Sequence, residues 1–179
     1  WGENYITTAG FRSLAEFGSP SASEAELRGK GPSLRTLIKA ASLWYPQVNT
    51  NTSLTFRVDR KHHKFSMISM FCLAPDWVVG INSIDVCMDD CSWKEALDFD
   101  LCTWVAGTVT GISYMSPTLE TQPREPMYRI ITMYSENPRA PLYNPISRDM
   151  TPLAKLYIRR EKTLARNCDD DVLQALKSA

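Results

Sequence analysis

The side chains able to do chemistry in this 179-residue chain are two histidines, five cysteines and one run of carboxylates. His62 and His63 are adjacent in Arg60-Lys61-His62-His63-Lys64. Neighbours on an extended chain point to opposite sides, so the pair does not readily serve one nucleophile or one metal ion. A solvated basic turn is the plain reading. A second reading is that Arg60, Lys61, His62, His63 and Lys64 form a candidate binding turn for a sulfated glycan, through charge attraction. The carboxylates gather in Asp85, Asp89, Asp90, Glu95, Asp98 and Asp100, against Lys94 alone. This acidic face suits an edge strand that must not pair with neighbouring molecules. The spacing Cys87-x-x-x-Cys91 has no second cysteine or histidine pair at zinc-finger distance, and an odd cysteine count in an oxidising compartment points to disulfides. No G-x-S-x-G elbow, phosphate-binding glycine loop or H-E-x-x-H helix occurs. Catalysis therefore lacks an obvious acid, base or nucleophile. A small metal-dependent hydrolase using carboxylates in turns is the alternative from a different class, and a partial copy without a binding role is a third.

The elements that would position these groups are short. Phe65–Leu73 and Trp77–Val86 are apolar runs either side of Pro75-Asp76 and read as antiparallel strands of a buried sheet. Ser53–Asp59 alternates as a further strand, and short strands fit at Tyr128–Tyr134 and Leu153–Arg159 between the proline-rich turns. Ahead of them, Thr7 or Thr8 caps a helix whose face is Phe11, Leu14, Ala15 and Phe17 and which Gly18 and Pro20 stop. Ser21–Gly31 reads as a second helix with Ser21 or Ser23 as cap. Leu34–Tyr45 reads as a third with Ser33 as cap, because Leu34, Leu37, Ile38, Ala41 and Tyr45 share a face. A tail helix is expected from Asp169. The whole is a mainly β fold, an antiparallel sandwich with two or three short helices gathered before it.

Lysine plus arginine and aspartate plus glutamate stand at 20 each. That balance argues against a general nucleic-acid or anionic-membrane binder. No apolar run approaches the ~18 residues of a bilayer span. The chain opens on Trp1 without a signal peptide, which suggests a processed product or a fragment.

The turns Pro75-Asp76-Trp77 and Trp104-Val105-Ala106-Gly107-Thr108-Val109-Thr110-Gly111, followed by Ser116-Pro117-Thr118, together with Gly18-Ser19-Pro20, resemble the signatures of the spondin N-terminal domain, also called the F-spondin domain. The resemblance covers Trp1 to about Leu176 and implies one domain over 1–176, lacking the family's first strand or two and its upstream cysteine cluster. It implies a Greek-key sandwich like the calcium-dependent lipid-binding domains. It also implies a secreted, non-enzymatic role in extracellular matrix and cell adhesion, with matrix or cell-surface receptor proteins as partners. The family's calcium lies between the two signature turns, on positions matching Asp76, Val105 and Val109. Two of the three carboxylates are thus valine, and calcium binding is expected to be weak or lost. In the family, cysteines matching Cys87, Cys91 and Cys168 pair with the missing cluster. Cys72 and Cys102 fall outside the family pattern, each just before a signature turn, and are candidates for an extra pair. The sequon Asn51-Thr52-Ser53 is a candidate glycosylation site in a polar stretch.

Overall fold

The computed structural model describes residues 1–43, 49–71, 75–90, 92–111, 119–130, 146 and 152–164. Within them the chain is mainly β, preceded by two helices, α1 (Ala9–Phe17) and α2 (Ser21–Arg28). The strands are β1 (Lys64–Met70), β2 (Trp77–Asp85), β3 (Ala96–Leu101), β4 (Thr103–Val105), β5 (Val109–Thr110), β6 (Leu119–Glu120), β7 (Tyr128–Arg129) and β8 (Ala154–Arg159). The main sheet has the order β1-β2-β4-β7, and β3-β8 and β5-β6 form two-stranded ribbons. All these pairings are antiparallel.

Local chemistry accounts for α1. The Thr8 hydroxyl accepts the Phe11 amide at 3.1 Å, filling one of the donor positions that a helix start leaves open. Gly18 closes the helix in the left-handed region (φ 63°), its amide returning to the Leu14 carbonyl. The buried face of α1, Phe11 and Ala15, packs with Val78, Ala106 and Met127, with Trp1, Ile68 and Trp104 against them. This cluster joins helix, central strand and the second signature turn. Thr8 also donates to Glu26 of α2, whose carboxylate takes the Gly10 amide at 2.7 Å. Thr8→Ala is therefore expected to cost about 1–2 kcal/mol, the upper part of the range for a lost cap, measurable by urea unfolding.

The hairpin β1-β2 forms as the two apolar runs require, with Met70 opposite Val78 and Ile68 opposite Gly80. β4 then pairs with the start of β2, Val105 opposite Trp77. Because the start of β2 and the end of β4 meet at this point, the turn that enters β2 and the turn that leaves β4 are brought together.

Several expectations are corrected. Leu34–Leu43 is not a helix; only a 3-10 turn, Gly31–Ser33, forms, and Leu34 is already extended (φ −116°, ψ 117°). Residues 44 and 45 of the expected helix lie outside the described residues. On the expected face Ile38 and Ala41 are exposed and Leu34 and Leu37 only half-buried, so little of it is covered, and a short isolated helix is marginal without a surface to pack on. Ser53–Asp59 is irregular, since alternation makes a strand only where a partner offers its backbone; its one pairing is the bridge Asp59–His62. In α2 the cap position is Pro20 and no side chain caps it; Ser21 is already helical and the Ser23 hydroxyl donates to the Gly10 carbonyl instead. Lys64 belongs to β1 rather than to the turn before it. The strand expected over Tyr128–Tyr134 is seen as Tyr128–Arg129, and its part from 131 onward, like the tail helix from Asp169, lies outside the described residues. β8 begins one residue later than expected.

Candidate functional site

The two signature turns meet at Asp76. It follows Pro75 at the entry to β2, and its side chain is fully buried. Its Oδ2 accepts the Thr108 amide at 2.8 Å, the Thr108 hydroxyl at 3.3 Å and the Val109 amide at 3.4 Å. Its backbone carbonyl takes the Ala106 amide at 3.1 Å. One residue thus ties the start of β2 to the whole Ala106–Val109 turn, by side chain and by main chain. Burial raises the carboxyl of Asp76 above the usual range, against the lowering effect of the Thr108 and Val109 donors, and the charge of Glu16 adds to the rise. Oδ1 of the same carboxyl is buried and has no hydrogen-bond partner.

Gly107 shapes the turn. Its φ of 73° lies in the left-handed region. Its carbonyl accepts the Glu125 amide at 2.9 Å, and the Thr108 carbonyl accepts the Thr121 amide at 2.9 Å. The loop after β6 is thereby laid against the turn. Val105 and Val109 are both buried, Val105 in a cluster with Trp77 and Ile130.

A second tie runs from α1. Arg12 Nε donates to Glu16 Oε1 at 2.7 Å, and Arg12 Nη1 donates to Glu120 of β6. Glu16 keeps only 2% of its side chain exposed, so its charge is held by that guanidinium. The hydrogen bond that Arg12 donates to Glu16, opposed by burial and aided by the charges of Glu16 and Glu120, raises Arg12 above its ordinary value. The helix is anchored in this way to the β5-β6 ribbon, next to the Asp76 turn. Sequence reading missed Arg12, Glu16 and Glu120. The spacing of Arg12 and Glu16, four apart on a helix, was the available signal; the partner 108 residues away was not.

Calcium takes about six to eight oxygen ligands, and the number that are charged sets its affinity. Of Asp76, Val105 and Val109, only Asp76 brings a carboxylate, and one of its oxygens is already occupied by three donors. Among the described residues of these turns, the orphan Oδ1 is the one feature that suits a cation. Among the described residues no three histidines, cysteines, aspartates or glutamates gather as metal ligands. The described residues at these turns do not fit a tight calcium site.

The remaining expected site residues are dispersed. His63 Nδ1 lies 2.7 Å from Asp85 Oδ1 on β2, while His62 turns away to Asp59 and Pro32. The two rings do not converge. Among the described residues Arg57, Arg60, Lys61 and Lys64 have no ion-pair partner, while Arg35 is paired with Asp59. The acidic run is largely matched by cations and donors, with Asp98 paired to Arg159, Asp100 to Lys155 at 3.2 Å, and Asp90 accepting the Ser92 hydroxyl at 2.6 Å. Cys87 and Cys102 are free thiols, and Arg129 Nη2 lies 2.8 Å from Cys102 Sγ. Cys72, Cys91 and Cys168 lie outside the described residues. Asn51 is exposed.

Comparison with known proteins returns a family profile described as Spondin_N that covers residues 1–152. The chain belongs to the spondin N-terminal domain family. It is similar to Spondin-1 of Homo sapiens, 32% identical over 173 residues, covering 94% of this chain and 21% of that protein. It is similar to Spondin-1 of Xenopus laevis, 34% identical over 165 residues, covering 89% of this chain and 20% of that protein. To Spondin-2 of Homo sapiens it is 29% identical over 161 residues, covering 89% of this chain and 48% of that protein. The chain thus spans about a fifth of the Spondin-1 proteins and about half of Spondin-2. Its spondin domain is a non-catalytic module. No helix among the described residues is long and apolar enough to cross a membrane.

Proposed function

We propose that this spondin domain is a secreted binding module of the extracellular matrix and cell surface, and that its signature turns are held together without calcium. The family match over residues 1–152 carries the reading. The metal-free part is supported by Asp76, whose Oδ2 already receives Thr108 and Val109, and by the burial of Val105 and Val109 where ligating oxygens would be needed. Burying these valines contributes roughly 25 cal/mol per Å² of apolar surface removed from water, a gain that needs no cation. The partners are matrix or receptor proteins. Sulfated glycans are further candidates at the turn bearing Arg60, Lys61, His62, His63 and Lys64, where the unpaired cations Arg60, Lys61 and Lys64 face solvent.

Calorimetric titration of the chain with calcium tests the metal-free reading, beside a Val105→Asp, Val109→Asp double variant. The unmodified chain is expected to give no micromolar binding, and the double variant to gain it. Cell adhesion to the immobilised domain, with and without chelator, tests the binding role. Equal adhesion in both conditions is expected. Micromolar calcium binding by the unmodified chain, or adhesion abolished by chelator, overturns the metal-free reading, whereas no adhesion in either condition overturns the adhesive one.

A further inference from the structure

The ring of His62 is set between two oxygens that can only accept. Nδ1 lies 3.0 Å from Asp59 Oδ1, and Nε2 lies 2.8 Å from the Pro32 carbonyl oxygen. A carbonyl has no proton to give, and neither has an ionised carboxylate, so both bonds form only when both ring nitrogens carry a proton. Neutral imidazole carries one. We propose that His62 is a proton-operated latch, which as an imidazolium fastens the strap of residues 31–43 to the turn before β1 and which releases it on losing its proton.

Asp59 is the fixed half of the latch. Burial opposes its charge, but the His62 amide and ring, the Arg35 guanidinium and the Lys61 amide outweigh that and hold its carboxyl at about 2. It stays ionised across the range, about pH 5–8, in which a histidine changes charge. The other charged groups around the ring are few. Arg35 comes from the strap and binds the second oxygen of Asp59; Arg60, Lys61 and Lys64 flank the ring along the chain; His63 is turned to Asp85 on β2 and does not face it. When one proton leaves, the charge-assisted bond to Asp59 is the stronger of the two and keeps the one that remains. Nε2 then presents a lone pair to the Pro32 oxygen, and that contact becomes repulsive. The strap has little else to hold it there. Its other described ties are the Arg35–Asp59 pair, the Lys39–Glu24 pair at 3.0 Å and the bond from the Ser33 amide to the Lys30 carbonyl at 3.4 Å, beside the turn within the strap in which the Leu34 amide bonds the Gly31 carbonyl at 3.1 Å. A strap that opens towards alkaline pH uncovers the turn it lies on, so the binding surface around Arg60 and Lys61 is reshaped by a single proton.

The test uses the full chain, labelled with nitrogen-15. At pH 5.5 the two ring nitrogens of His62 are expected to show the shifts of an imidazolium. On raising the pH to 8.5, the Leu34 amide is expected to lose roughly tenfold in protection from hydrogen exchange, after correction for the intrinsic rate, in line with one charge-assisted hydrogen bond. His62→Gln should remove that pH step, and His63→Gln should leave it in place. A neutral His62 ring at pH 5.5 overturns the proposal without reference to any variant. So does unchanged Leu34 protection between the two pH values, or a step that survives in His62→Gln.

Discussion

Gly107→Ala is expected to destabilise the domain by more than about 4 kcal/mol, in the rare tail of single-residue effects that marks a backbone that cannot adjust. Two costs add. The left-handed φ of 73° disfavours any side chain by about 1–2 kcal/mol. The larger cost is steric, because a Cβ at this position would sit well inside the van der Waals radius of the Glu125 carbonyl oxygen and crowd the Glu125 carbonyl carbon as well. Neither is a flexible side chain that can swing away. The Glu125 backbone is held by the bond from its own amide to the Gly107 carbonyl at 2.9 Å, so moving it breaks that bond. Gly31→Ala is the control, since Gly31 also has positive φ (56°) but nothing lies within 4 Å of its added Cβ. It should lose only the conformational part, about 1–2 kcal/mol. Urea unfolding of the two variants beside the parent chain separates the terms. Equal losses at both positions would show that the close approach of residues 107 and 125 is not tight.

The contrast between helix α1 and the strap explains what the sequence could and could not tell. Both carry apolar residues at helical spacing, and both have a residue suited to cap them. α1 forms because Phe11 and Ala15 find Val78 and Met127, a surface assembled from residues more than 60 positions away. The strap finds too little, with Leu34 and Leu37 only half-buried, and Arg35 and Lys39 are drawn off to Asp59 and Glu24 in an extended path. Periodicity records what a segment would bury, not whether anything is there to cover it. Ser53–Asp59 failed as a strand for the same reason. β1 and β2 were legible because they supply each other's partner across a short connection. In the site, Pro75-Asp76-Trp77 and the glycine turn were legible only through their likeness to a known family, since nothing local shows that residues 76 and 108 touch. The Arg12–Glu120 pair had no such guide. The double engagement of His62 was equally hidden, because Pro32 lies 30 positions away, between two segments that read as helices.

Asp76→Ala is expected to cost about 3–5 kcal/mol, because the carboxyl is the acceptor on which the second turn is hung. Without it the buried amides of Thr108 and Val109 and the Thr108 hydroxyl lose their common partner. An unsatisfied buried polar group costs about 1–3 kcal/mol, and the two amides cannot turn to water without opening the turn. For a chain of this length the midpoint of thermal unfolding should fall by roughly 10 °C, at about 2–4 °C per kcal/mol. Asp76→Asn should do far less harm, since an amide oxygen can accept from the same donors while the buried charge is removed. The asparagine variant also differs from the parent in its dependence on pH. Burial raises the folded-state carboxyl of Asp76 above its unfolded value, so the stability it contributes is fully present below the unfolded value, near pH 4, and declines as pH rises through the folded one. Asparagine has no such decline. The stability of Asp76→Asn relative to the parent should therefore improve between pH 3.5 and pH 7, as read from urea unfolding at the two values. An alanine variant as stable as the parent would show that the turns are held by their valines alone, and an asparagine variant that loses ground with rising pH would show that the charged carboxylate is the form the turn requires.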